Sequence, residues 1–335
     1  MKKFLFGLLL VAATLSCAPE QGIPADKKEI MDRFIAGTLD ESYVPAAFFT
    51  HFPGKTQGDA AVAAHMEYYI NSGNDIFKIQ FEQTLPKVPD LDTPEGWENF
   101  EPVPEDFYRP TVEIVKRLYD IAGKNVYVLP SIYNAPQVAH HSLGEAGLKI
   151  GAKEHPEALK KILDNYQQAL LWYARECKAF GIEGFYMCTQ GGEKLYYDAP
   201  DFFEKFTKPY DMELMTECCE GTKCNILHIC DWEGPYEEMT RYKDYPGQII
   251  NTPFNMDGTY FSLQDCVEIF GRPVLGGLNR KGEINTLPAD GIKALVDSVL
   301  NAAPKGMTML GAECTVGNAP RENIAAAIAA AHKRK

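Results

Sequence analysis

The sequence predicts one α/β domain built as a (β/α)8 TIM barrel with a parallel eight-stranded core, and three observations predict it. From Pro45 onward, short apolar runs alternate with longer amphipathic ones, the pattern of βα units wrapped around a parallel sheet. Eight such units over roughly 300 residues fall in the usual size range of the barrel. No Gly-x-Gly-x-x-Gly follows the first strand, so the usual mark of an open, doubly wound, nucleotide-binding sheet is missing.

The first residues stand apart from this pattern. Lys2-Lys3 precede an apolar run over 4–13, and Leu15-Ser16 lead into Cys17. The run has the length of a signal-peptide core and is too short to span a bilayer. The segment resembles a bacterial lipoprotein signal. That resemblance implies cleavage before Cys17, lipidation of the Cys17 thiol, a tether over 18–26, and a mature barrel over 27–335 held at the cell envelope as an exported, membrane-anchored lipoprotein. An ordinary secretory signal is the alternative, since Thr14 stands where Leu is commoner.

Within the barrel, strands are predicted over 44–49, 76–80, 126–129, 184–188, 224–229, 248–250, 274–276 and 307–310. Helices are predicted over 60–70, 105–121, 156–180, 201–220, 236–242, 263–270, 288–302 and 321–333. Pro156 and Pro320 sit where a first turn tolerates a residue without an N–H, and Gly181 sits where a left-handed cap is expected. Prolines 86, 89, 94, 102 and 104 exclude a regular helix over 85–104 and predict a long loop over the barrel mouth, either a lid or a rigid excursion. The alanine-rich run 325–331 is a good helix former.

Composition narrows the partners. The chain has 335 residues, 45% hydrophobic and 11% aromatic, enough for a large core, and a formal net charge of −13. No block of Lys or Arg stands out, which argues against nucleic acid and against a polybasic membrane patch. A small-molecule substrate is expected, with membrane contact only through the lipid. Of nine cysteines, eight follow Cys17. A chain with a substantial core does not need a disulfide framework, so most are expected to be buried thiols.

The candidate chemistry lies at the C-terminal ends of the predicted strands, where barrels of this kind place their active sites. In Asn225-Ile226-Leu227-His228-Ile229-Cys230-Asp231, strand periodicity turns the imidazole of His228 and the thiol of Cys230 to one face. Cys314 follows another apolar run and can complete a His/Cys/Cys set suited to Zn2+. Inert buried thiols are the alternative. Other strand ends add Glu82 and Glu193, expected as catalytic carboxylates, and His51, Tyr133, Gln190 and Asn279, expected to bind substrate. Water and the carboxylates of Glu82, Glu193, Asp231 and Glu313 are open as the fourth zinc ligand.

Several segments resemble the uroporphyrinogen decarboxylase superfamily, in its branch of zinc-dependent methylcobamide:coenzyme M methyltransferases. They are Gly73-Asn74-Asp75-Ile76-Phe77-Lys78-Ile79, Phe202-Phe203-Glu204-Lys205-Phe206-Thr207-Lys208-Pro209-Tyr210, His228-Ile229-Cys230, Val274-Leu275-Gly276-Gly277-Leu278, and Gly311-Ala312-Glu313-Cys314 leading to Ala319-Pro320-Arg321-Glu322-Asn323-Ile324. The resemblance runs from about Asp59 to Ile328 and fades over 85–104. It implies a (β/α)8 fold and His228, Cys230 and Cys314 as zinc ligands. It further implies an acceptor thiol activated on the metal, and possibly a corrinoid, carried by a corrinoid protein, as methyl donor.

Two departures qualify it. Ala46-Ala47-Phe48-Phe49-Thr50-His51-Phe52-Pro53-Gly54 contains no Arg to hold porphyrinogen carboxylates, which disfavours decarboxylation. Asp231-Trp232-Glu233 replaces the Gly usual after His-x-Cys, and export would separate the chain from cytoplasmic corrinoid proteins. The expected activity is zinc-dependent methyl transfer to a thiol. An exported protein that binds a tetrapyrrole, corrinoid or thiol without turnover is the alternative from another class.

Overall fold

The computed structural model describes residues 27–333 apart from 92–93, 99 and 200. The signal segment, Cys17 and the tether lie outside the described residues. The chain runs through α1 (Lys27–Ile35), α2 (Gly58–Ser72), β1 (Phe77–Ile79), α3 (Pro94–Glu98), α4 (Arg109–Ala122), β2 (Val128–Tyr133), α5 (Ala135–Glu154), α6 (Pro156–Ala179) and β3 (Tyr186–Thr189). It continues with α7 (Lys208–Cys219), β4 (Ile226–Ile229), β5 (Ile249–Asn251), β6 (Asn255–Met256), β7 (Thr259–Tyr260), α8 (Leu263–Phe270), β8 (Val274–Leu278), α9 (Ala289–Ala302), β9 (Thr308–Ala312) and α10 (Arg321–Ala331).

Seven parallel strands form one curled sheet in the order β1-β2-β3-β4-β5-β8-β9, and β6 and β7 form a separate antiparallel hairpin. Alternation sorts the side chains. Leu227 and Ile229 join the cluster beneath the helices. Ile226, with Tyr186, Cys188, Ile249, Leu275 and Met309, belongs to the cluster inside the curl. Removing each large apolar side chain from water contributes about 1.5–3 kcal/mol, so both layers favour this register over a one-residue slip.

The expected closed eight-stranded barrel is corrected by the structure. Residues 44–49 form no regular strand; they make one parallel bridge, Ala46 to Leu310. On the β9 side, Leu310 N donates to Pro45 O at 2.7 Å and Ala47 N to Leu310 O at 2.9 Å. On the β1 side a single backbone bond, Asp75 N to Ala46 O at 2.9 Å, is supplemented by side chains. The Asp75 carboxylate accepts from Ala46 N at 2.8 Å, and the Asn74 amide both accepts from Phe48 N and donates to Phe48 O at 2.9 Å. A strand whose neighbour answers with an amide and a carboxylate cannot extend a backbone ladder. Asp75 is fully buried and also receives His332 Nε2 at 2.7 Å and Tyr43 OH at 2.8 Å, with Lys27 Nζ 3.7 Å away. The approach to this corner needs Gly73, which caps α2 at φ 85°, a region open to glycine and costly for other residues.

Other predictions shift. Helix α5 lies where none was predicted; Gly144, at φ 75° and ψ 170°, breaks its periodicity midway. The predicted helix over 236–242 is only a 3-10 turn at Thr240–Tyr242. The one over 201–220 divides into a π-helical turn, Phe203–Thr207, and α7. The proline-rich segment, expected to hold no regular helix, contains the short helix α3 and forms an anchored wall. Trp97 is buried and its ring stacks on His155, Phe100 packs on Tyr166, and the Asn165 side chain holds both the N–H and C=O of Val103. No helix among the described residues is long and apolar enough to cross a membrane.

Candidate metal centre

Strand β4 carries His228 opposite Cys188 of β3 and Asn251 of β5. Asn251 fixes this layer across the sheet: its amide donates to Leu275 O at 2.9 Å and Ala312 O at 3.0 Å, and its carbonyl oxygen accepts from Tyr186 OH at 2.6 Å. Cys230 lies just past β4, where its N–H donates to Thr189 O at 3.1 Å and its carbonyl accepts from Tyr236 OH at 3.0 Å. Cys314 lies two residues past β9. Ligand atoms of His228, Cys230 and Cys314 all lie within 4.8 Å of one another, and all three residues are buried.

The electrostatics suit a metal. A hydrogen bond from Cys230 pulls the Cys314 thiol well down, His228 and Arg280 assist, and burial opposes. The same hydrogen bond, with burial, pushes Cys230 up. Two neighbouring thiols shifted in opposite directions are a pair that a divalent cation can hold as thiolates. His228 Nδ1 is buried with no hydrogen-bond partner, which is costly for an imidazole nitrogen unless something else engages it. Two thiols and an imidazole are donors that zinc takes, so the residues present fit the ion. Among the described residues no carboxylate joins the cluster. Asp231 is held by Arg280 at 2.8 Å, and Glu313 accepts from Arg280 N at 2.9 Å.

The cluster opens on a cavity of about 220 Å3. His51, Glu82, Tyr133 and Gln190 line it with the metal set. His51 Nδ1 lies 2.8 Å from Glu82 Oε1. Burial raises the Glu82 carboxyl, but its hydrogen bond to His51 and the charges of His51 and Lys78 outweigh burial, and the net shift is downward. Burial pushes the Tyr133 phenol well up. Gln190 Nε2 lies 3.6 Å from Cys230 Sγ. The Gln190 backbone is held by Asn134, whose amide donates to Gln190 O at 2.8 Å and to Asp211 at 2.7 Å.

Two predicted residues lie elsewhere. Glu193 is fully buried beside a separate cavity of about 330 Å3 with Tyr196, Phe203 and Arg241. Burial lifts its carboxyl to about 8. Asn279 is exposed and lines a third cavity, of about 270 Å3, with Asp231 and Glu313. Sequence reasoning missed Lys78, Gln137, His141 and Glu233, all of which line the metal cavity. Lys78 alternates with Phe77 and Ile79, which face the helices, so strand periodicity could have found it. Gln137 and His141 lie one helical turn apart on the unpredicted α5.

No protein-family model matches the sequence, and no curated protein matches it. Solved structures do resemble the fold. A methyltransferase from Methanosarcina mazei superposes with a TM-score of 0.71 over 92% of this chain and 98% of its own, at 15% identity. A B12-independent methionine synthase from Shewanella sp. W3-18-1, in complex with selenomethionine, superposes at 0.50 over 88% of this chain and 93% of its own, at 12% identity. The chain therefore shares a TIM-barrel-like α/β fold with methyltransferases.

Proposed function

We propose that the protein is a zinc-dependent, methyltransferase-like enzyme that activates a thiol as methyl acceptor. The observation that carries this reading is the convergence of His228, Cys230 and Cys314 within 4.8 Å at the buried floor of a cavity. Zinc held there by three protein ligands would leave a position for a thiol and lower its pKa from near 8.5, so that thiolate is present near neutral pH. His51, which lines the same cavity, would take the released proton. The Glu82 carboxylate at 2.8 Å fixes the Nδ1–H tautomer and leaves Nε2 as acceptor. Tyr133, kept protonated by burial, can donate a hydrogen bond to the acceptor or the incoming group. In the transfer, a sulfur–carbon bond forms as the donor's bond to methyl breaks, and the donor departs with that electron pair.

The donor we propose is a methylated corrinoid, the one implied by the sequence resemblance, met outside the cytoplasm and not on a cytoplasmic corrinoid protein. Lipidation at Cys17 would hold the enzyme on the exported face of a membrane. The fold shared with methyltransferases supports the reaction class.

Zinc analysis of protein purified under reducing conditions, without chelator, tests the centre. Incubation with thiol and methylcobalamin, read by the corrinoid spectrum and by thioether formation, tests the transfer. One zinc per chain and thioether product are expected. Absence of stoichiometric zinc overturns the reading. Zinc-dependent thiol binding without transfer replaces it with a surface-anchored capture protein.

A further inference from the structure

The acceptors and donors around the metal cavity are unequal. Gln190 Oε1 and Gln137 Oε1 are both buried and have no hydrogen-bond partner, and both residues line the cavity with only 3% and 5% of their surface exposed. A buried carbonyl oxygen left unpaired is costly, so a ligand that pairs them is favoured. Two of the lining donors, by contrast, are committed. Lys78 Nζ donates to Gln80 Oε1 at 2.7 Å and sits 4.5 Å from the centre of the Tyr186 ring, and His51 Nδ1 is held by Glu82. Two carboxylates, Glu82 and Glu233, face the cavity against the single lysine.

The orientation of Gln190 follows from its neighbour. The Gln190 amide nitrogen faces the Cys230 sulfur at 3.6 Å, which leaves the oxygen, the other end of the same amide, as the acceptor without a partner. The cavity of about 220 Å3 that Gln137 and Gln190 share with the three ligands limits the acceptor to a small molecule.

We infer that the acceptor is a short aminothiol, its sulfur directed to the His228/Cys230/Cys314 cluster and its ammonium group received by Gln190 Oε1 and Gln137 Oε1 in the field of Glu233. The inference rests on the thiol-acceptor reading above and goes beyond it in naming the substrate class. An anionic thiol of similar length would meet those acceptors with a sulfonate and leave them unpaired.

Calorimetric titration of the zinc-loaded chain with 2-aminoethanethiol, 2-mercaptoethanol and 2-mercaptoethanesulfonate measures the preference without turnover. The aminothiol is expected to bind about tenfold more tightly than the hydroxythiol, with the sulfonate weakest. Gln190→Leu, checked for bound zinc before titration, should remove most of that preference. Its lost contact to Cys230 affects all three thiols alike and cancels in the ratio. Glu233→Gln, at the accessible rim and expected to fold normally, should narrow the preference severalfold. Equal affinities, or tightest binding of the sulfonate, overturn this inference and leave the metal-thiol reading standing. Zinc-dependent binding by none of the three overturns both.

Discussion

His228 stands opposite Cys188 in the register of β4 on β3, yet only His228 belongs to the metal cluster. Burial pushes the Cys188 thiol up, and Lys78 only partly opposes it. Since Cys230 is pushed up as well, placement decides: the Cys188 sulfur is not among the ligand atoms that lie within 4.8 Å of one another. Cys188→Ala should keep one zinc per chain, whereas Cys230→Ala and Cys314→Ala should lose it, as measured by metal analysis of the purified variants. Zinc lost in the first variant and kept in the others would reverse the assignment.

Glu193 predicts a pH dependence of stability. In the unfolded chain its carboxyl ionises near 4.5, whereas burial in the folded protein holds it protonated to about 8. The unfolded state releases its proton first, so this residue's contribution is fully present below about pH 4.5 and is lost as pH rises to about 8, a change of a few kcal/mol. Glu193→Gln should flatten the fall in stability between pH 5 and 8. Urea denaturation at several pH values measures it, and parallel curves for variant and parent would exclude Glu193 as the source.

Asp75 is the buried anion to which Lys27, Tyr43, His332 and the Ala46 N–H converge. Its removal leaves a buried ammonium and a backbone donor without their partner, and such losses cost about 3–5 kcal/mol. Asp75→Ala is expected to lower the denaturation midpoint accordingly. A shift within the error of the parent would show that the cluster contributes no net stability.

Cys17→Ser should abolish labelling of cells by radioactive fatty acid at this protein and leave the precursor uncleaved before residue 17. Labelling and processing like the parent's would remove the lipoprotein proposal without touching the metal centre.

The metal set was legible because period-2 spacing in a short strand is a local property: His228 and Cys230 could be assigned to one face from six neighbouring residues. Cys314 needed only the further assumption that its apolar run belongs to the same sheet. Glu193 and Asn279 misled because a strand end predicts a level in the fold and says nothing about which side of the loop faces the cavity. Gln137 was hidden by Gly144, whose left-handed backbone interrupts the apolar rhythm of α5. The segment 44–49 reads as a strand by composition. It keeps backbone bonds to Leu310 and Asp75, but on the β1 side three of its hydrogen bonds go to the side chains of Asn74 and Asp75, which hydropathy does not register.

That seam between the first segment and β1 also bears on the order of folding. It joins groups that are remote in the chain: His332 and Asp75 are 257 positions apart. Each βα unit can gather its own neighbours at small loop-closure cost, while the two chain ends must wait until those units are in place. Contacts made after the rate-limiting step change the rate of unfolding and leave refolding nearly untouched. The clasp at Asp75 thus bears, in kinetic terms, on how long the native state persists more than on how quickly a newly made chain reaches it.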